Sequence, residues 1–204
     1  TSGGENKGMK GRESGMPSET YWETFFNVEA TLDILTGPSI AGNVLEFGCG
    51  YGSFTLPVAR RTTGYVTALD IDPEMVDCVQ RKLAVDHISN VLTDVRDFVA
   101  LGSGVATGSQ SHAMIYNLLH LEHPIMLLHE AYRSLQDGGL LSIIHWRSDI
   151  PTPRGPSLAI RPTPEQCKVW MAEAGFRQIG GHAAAHIAKA DEGDRLGHDG
   201  ISPA

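Results

Sequence analysis

Cysteine is scarce in this chain, and its few thiols are poorly placed to act together. Only Cys49, Cys78 and Cys167 occur, far apart and odd in number. That leaves no disulfide framework and no zinc-type spacing, and it fits a reducing, cytoplasmic setting. Long apolar runs are missing too. No stretch approaches the roughly 18 residues that cross a bilayer, so no membrane association is expected, and no secretory pattern opens the chain. Positive charge is in short supply: 16 Lys and Arg stand against 24 Asp and Glu, a formal net charge of -8. A protein living on phosphate contacts carries a basic surface, which disfavours nucleic acid as a partner. The 204 residues suit one domain of ordinary size with a substantial core, and no internal repeat is visible.

What the chain does have is Val44-Leu45-Glu46-Phe47-Gly48-Cys49-Gly50-Tyr51-Gly52, an apolar β-type run closed by glycines at alternate positions. A helical pattern from Ser53 to Arg61 follows. Strand, glycine turn and helix together aim backbone N–H groups at a ligand, and glycine lets that ligand approach with no Cβ in the way. The turn is read as a nucleoside site.

Around it, residues 1–17 are small and polar and read as a flexible tail. Residues 18–37 read as one helix, capped by Ser18 and stopped by Gly37-Pro38, with Tyr21, Trp22, Phe25 and Phe26 crowded near its start. So many rings exceed one narrow stripe. The helix either packs with a ring exposed or acts as a lid over the glycine turn. Residues 38–190 form the main domain. Strand patterns at Gly64–Asp70, Asn90–Asp94, Ala113–Asn117 and Leu140–Trp146 alternate with helical ones starting at Asp72-Pro73-Glu74, at Glu122 and at Thr163-Pro164-Glu165-Gln166. Gly102–Gln110 reads as a glycine-rich loop. Phe176–Ile179 and Ala184–Lys189 read as two last strands, and residues 191–204 as a disordered tail. Such alternation predicts an α/β sandwich on a largely parallel sheet.

Parallel sheets place ligands at the carboxyl ends of their strands. Those ends carry the glycine turn, Asp70, Asp94 and Asn117. Asp70 follows Gly52 by 18 residues, close to the offset of about 20 at which an acid meets ribose hydroxyls in dinucleotide folds.

Val44–Gly52, Val66–Met75, Val91–Phe98 and Ala113–Ile144 resemble successive motifs of the class I S-adenosylmethionine-dependent methyltransferases, over roughly residues 40 to 180. The resemblance implies a Rossmann-like three-layer α/β/α sandwich, with a seven-stranded, mostly parallel sheet whose last strand is antiparallel. It implies S-adenosylmethionine as cofactor, a small-molecule acceptor and direct displacement at the methyl carbon. By the same resemblance, Glu46 faces the methionyl amino group, and Gly48, Cys49, Gly50 and Gly52 surround the methionyl and ribose portions. Asp70 binds the ribose, Ile71 covers the adenine, Asp94 and Val95 flank the adenine edge, and Asn117, Leu118 and Leu119 lie near the sulfonium.

Two rival readings remain. A nicotinamide-dependent oxidoreductase wants G-x-G-x-x-G, but Ser53 stands at the third glycine position and Glu46 would repel a diphosphate. A non-catalytic cofactor-binding module is the other. On the acceptor side, His120, His123 and His145 are candidate bases or structural histidines, while His182 and His186 read as structural. Arg147, Arg154 and Arg161 bracket the proline-rich segment 147–162; they either grip an anionic acceptor or pair with Asp149 and solvent. Trp22, Phe26 and Trp146 are candidate apolar walls of the acceptor site. No metal site is expected. Acceptor, methylated atom and oligomeric state are not specified by these patterns.

Overall fold

The computed structural model describes residues 18–22, 24, 27–152, 155–182 and 185–190. Two short helices, α1 (Glu19–Trp22) and α2 (Val28–Leu35), precede the sheet. Then come β1 (Val44–Phe47), α3 (Thr55–Arg61), β2 (Val66–Asp70), α4 (Pro73–Val85), β3 (Val91–Val95), α5 (Phe98–Leu101) and β4 (Gln110–Tyr116). The chain continues through α6 (Pro124–Ser134), β5 (Leu135–Ile144), α7 (Pro164–Glu173), β6 (Phe176–His182) and β7 (Ala185–Ala190).

The strands form one seven-stranded sheet in the order β3-β2-β1-β4-β5-β7-β6. The first five pair in parallel, and β7 runs antiparallel to both β5 and β6. This is the Rossmann-like three-layer sandwich with a single reversed last strand. Strand alternation divides the core between two faces. Leu45, Phe47, Leu69, Ile115, Leu141 and Ile143 pack with α6 and α7. Val44, Val66, Ala68, Met114 and Ile144 pack with α2, α3 and α4 on the other side.

The boundaries differ from expectation in places with physical causes. The helix expected over 18–37 is two helices, because Asn27 turns extended (φ -81, ψ 93) and its side chain accepts from the Ala30 N–H to start α2 anew. An Asn side chain offers the backbone this alternative to continuing a helix. Strand β4 starts at Gln110, within the expected glycine loop. Its buried His112 is tolerated because Nε2 lies 2.8 Å from Ser142 Oγ on the neighbouring strand, and the Tyr116 hydroxyl lies 2.9 Å from the same oxygen. Strand β5 starts at Leu135, carries Gly138 at φ 70 and ends at Ile144, which leaves His145 and Trp146 beyond its tip. Helix α6 starts at Pro124 rather than Glu122, with His123 at the cap and Pro at its first position. The short α5 was not anticipated; Asp97 starts it by accepting from the Ala100 N–H. Phe25, Phe26, both expected tails and Arg154 lie outside the described residues.

Ser142 therefore holds two buried polar neighbours at once. Replacing it with Ala strands both His112 and Tyr116, and a buried unsatisfied group costs about 1–3 kcal/mol. Urea denaturation of Ser142→Ala should show a loss in that range. A variant as stable as the parent would mean the three side chains are not a linked unit.

Candidate active site

The glycine turn is tied down from three directions. The Cys49 N–H donates to the Leu69 carbonyl at 2.9 Å, linking the turn to β2. The Gly50 N–H donates to Asp70 Oδ2 at 2.8 Å, and the Gly52 N–H closes on the Cys49 carbonyl at 2.9 Å. Gly48, Gly50 and Gly52 all have positive φ. A Cβ at Gly52 would lie 2.9 Å from Leu56 and 3.1 Å from Val79, and one at Gly48 would lie 3.1 Å from Leu118. All three glycines are thus favoured by backbone conformation, and Gly48 and Gly52 also by close packing of the segment after β4 and of α3 and α4.

Glu46 is the penultimate residue of β1, with only 4% of its surface exposed. Thr55, the first residue of α3, donates its hydroxyl to Glu46 Oε2 at 2.5 Å. Burial dominates its titration and raises the carboxyl pKa to about 8; the Thr55 hydrogen bond pulls it down and the nearby Asp70 pushes it up. Asp70 is raised as well, chiefly by burial, although the N–H groups of Asp72 and Gly50 oppose this. Its Oδ1 accepts from the Asp72 N–H at 3.0 Å. Both acids thus stand in a site where added positive charge is favourable.

The other strand tips gather beside them. Ile71 and Val95 are exposed apolar residues at the ends of β2 and β3. Asp94 is half exposed and lies 3.6 Å from Arg96 Nη1. Asn117 follows β4 in the left-handed region (φ 59), with its own N–H bonded to the Ile144 carbonyl at 2.6 Å. Its side-chain Nδ2 is buried with no hydrogen-bond partner, as is Ser53 Oγ at the foot of the glycine turn. Buried polar groups are normally paired, so these two have hydrogen-bonding capacity left for a ligand, as Gln110 Oε1 has at the start of β4. On the rim, Lys82 of α4 pairs with Glu19 of α1 and donates to the Tyr51 carbonyl at 2.7 Å. It thereby links the first helix to the turn.

Comparison with known proteins bears on this arrangement. Residues 44–139 match the family described as a methyltransferase domain. The matched span runs from β1 into β5 and so takes in the glycine turn and the strand tips. Among solved structures, a SAM-dependent methyltransferase from Aquifex aeolicus is similar at 18% identity, over 84% of this chain and 97% of that one, with a TM-score of 0.68. The [4+2]-cyclase SpnF is similar at 19% identity, over 75% of this chain and 58% of that one, with a TM-score of 0.61. A geranyl diphosphate methyltransferase in complex with SAM is similar at 13% identity, over 80% and 83% of the two chains, with a TM-score of 0.61. At such identities the structural likeness is one of fold. No curated protein matches in sequence.

Within the matched span, the strand-tip residues Glu46, Gly48, Cys49, Gly50, Gly52, Asp70, Ile71, Asp94, Val95, Asn117 and Leu118 gather along the carboxyl edge of β1–β4. The acceptor-side candidates are more dispersed. His120 lies in the turn after β4; burial, then the positive charge of Arg161, lowers its pKa to about 4, so its imidazole is neutral near pH 7. His145 has both ring nitrogens engaged, Nδ1 at 3.2 Å from the Trp146 carbonyl and Nε2 at 3.2 Å from His186 Nε2. Arg147 is forked onto Asp149 at 2.9 and 2.6 Å, which is the pairing alternative raised above. Arg161 is buried and spends its guanidinium on the Pro156 carbonyl, the Ile150 carbonyl and Thr152 Oγ1, and lies 5.3 Å from the Trp146 ring centre. It organises the proline-rich segment, a role that its position in sequence did not suggest. Thr55 and Ser53 were also missed, since a lone hydroxyl in a helix start has no distinguishing spacing.

Glu46 generates a pH signature. The unfolded carboxyl loses its proton near 4.5 and the folded one near 8, so the folded state holds the extra proton between those values. Stability from this group is full below the lower value and is lost as pH rises through the higher one. Thermal melts of the ligand-free protein between pH 5 and pH 8.5 should therefore fall more steeply for the parent than for Glu46→Gln. Parallel profiles would rule Glu46 out as the titrating group.

Proposed function

We propose that this protein is an S-adenosylmethionine-dependent methyltransferase acting on a small-molecule acceptor by direct displacement. The observation that supports it best is the buried Glu46 carboxyl beside Asp70 at the glycine turn. Asp70 suits the ribose of any such nucleoside, whereas Glu46 suits a cationic, phosphate-free one: an ammonium beside it favours its ionised form, and a diphosphate beside it would gain no counter-charge. This weighs against the oxidoreductase reading.

Bound there, S-adenosylmethionine supplies a methyl group already activated on a sulfonium. The chain's own residues then need only bind, align and exclude water. Glu46 takes the methionyl ammonium, which favours its ionised form. Asp70 accepts from the ribose hydroxyls while keeping the Gly50 N–H. Ile71 and Val95 cover the adenine, and Asp94 accepts from its exocyclic amine. Asn117 Nδ2 gains the partner it otherwise lacks. Helix α1, held through Glu19 and Lys82, covers the turn as a lid. His120, neutral and near the acceptor side, orients the nucleophile and takes a proton only from an acceptor acidic enough to give it up to so weak a base. The segment organised by Arg161 shapes the acceptor pocket. The three free thiols support a cytoplasmic setting.

A second reading keeps cofactor binding but not methyl transfer, since a [4+2]-cyclase shares the fold. Calorimetry with S-adenosylhomocysteine tests the shared step. We expect binding in roughly the micromolar range, weakened by about tenfold or more in Asp70→Ala, in line with loss of a charge-assisted hydrogen bond. No binding at millimolar ligand, or unchanged binding in a folded Asp70→Ala protein, overturns the assignment. An acceptor screen reading S-adenosylhomocysteine release separates transfer from binding alone.

A further inference from the structure

Away from the glycine turn, three buried side chains from three separate elements converge beneath α7. Strand β7 pairs with β5 in a register that sets His186 opposite Ile143. His145 lies two residues beyond Ile143, just past the tip of β5, and its Nε2 reaches to 3.2 Å from His186 Nε2. Helix α7 lays Cys167 over the pair. The ligand atoms of His145, Cys167 and His186 all lie within 4.8 Å of one another, and all three residues are buried, at 3%, 0% and 1% exposure. We propose that these residues form a site for one zinc-class divalent ion.

Ligand chemistry and geometry agree. Imidazole nitrogen and thiolate are the donor types zinc takes, with metal–nitrogen distances of about 2.0–2.1 Å and metal–sulfur of about 2.3 Å in tetrahedral geometry. Two imidazoles on one such ion stand about 3.3 Å apart at their nitrogens; here the two Nε2 atoms are 3.2 Å apart, the ring planes are parallel to within 3° and the ring centres are 5.3 Å apart, so ligation calls for a turn of the rings that aims both lone pairs at one point. The sulfur must close to about 3.6 Å from each nitrogen, which calls for a small movement of the Cys167 side chain. The outer contacts suit ligation as well. His145 gives its Nδ1–H to the Trp146 carbonyl at 3.2 Å, which leaves Nε2 with its lone pair toward the cluster. The Gln178 amide lies 3.4 Å from His186 Nδ1 and donates to the Gly180 carbonyl at 3.1 Å; turned by half a circle, it accepts the Nδ1–H that ligation through Nε2 requires and gives up the Gly180 bond. Three protein ligands leave a fourth position for water.

The competing arrangement is metal-free. Gln178 Nε2 donates to His186 Nδ1, His186 Nε2–H to His145 Nε2, and His145 Nδ1–H to the Trp146 carbonyl, a one-way chain in which both rings are neutral. The two states differ in what the chain retains. Untagged protein is loaded with zinc sulfate, dialysed against a weak chelator and analysed for metal by mass spectrometry. One equivalent is expected in the parent, falling below about a tenth of an equivalent in Cys167→Ser and in His186→Gln. Cobalt loading of the parent alone gives a second readout that needs no variant: tetrahedral d–d absorption together with a thiolate-to-cobalt charge-transfer band. Less than a tenth of an equivalent of zinc in the parent, the same zinc content in folded variants, or a cobalt spectrum without the thiolate band overturns the site and leaves the hydrogen-bonded histidine chain. None of these readouts depends on cofactor binding, so the site and the methyltransferase assignment fail separately.

Discussion

Everything at the working edge of this protein depends on one awkward burial. Glu46 is a carboxyl taken out of water at the tip of a central strand, with Thr55 as its hydrogen-bond donor. A lone ionised carboxylate in that position is costly, and the group answers by holding its proton to about pH 8. The glycine turn begins two residues after that carboxyl and leads into α3, whose first residue is the carboxyl's hydrogen-bond donor. Its N–H groups point to Asp70 and to the backbone of β2, and its lack of side chains lets α3 and α4 close in. The sheet order then follows, because β1 must lie at the centre with β2 on one side and β4 on the other for Asp70 and Asn117 to stand at the same edge.

The parts legible from residue pattern were those where one physical rule dominates. Parallel strands buried on both faces read as apolar runs, and β1, β2 and the second half of β5 are of this kind. Helix starts at Asp72-Pro73 and Thr163-Pro164 carry their own chemistry: Asp72 and Thr163 cap α4 and α7, and Gln166 completes a reciprocal capping box. Strand β4 was misjudged at its start because Gln110, Ser111 and His112 look like loop, and only the hydroxyl of Ser142 on the neighbouring strand makes the burial of His112 tolerable. The split before α2 turns on a single Asn side chain competing with a helix that the aromatic spacing otherwise favours.

The acceptor side was hardest to read because its residues act through long-range pairing. Arg147 and Arg161 are equally plausible anion binders from position alone. Only the fold reveals that one is clamped by Asp149 and the other is filled by loop carbonyls. His145, Cys167 and His186 are likewise scattered in sequence and meet only because β7 inserts in reverse beside β5. No spacing rule reports on a cluster that a strand reversal creates.

That reversed strand has a consequence for how the chain assembles. Strand β7 separates β5 from β6, so until Ala185–Ala190 arrives β5 is a sheet edge carrying Leu141, Ile143 and Ile144 on its two faces. An apolar edge with free N–H and C=O groups is a template for wrong pairing. On the ribosome, where domains emerge from the N-terminal end, the first five strands can be in place while that template is still open. It is covered only once the last strand has left the exit tunnel and folded back, which makes the final hairpin the step at which this sheet becomes safe from other chains.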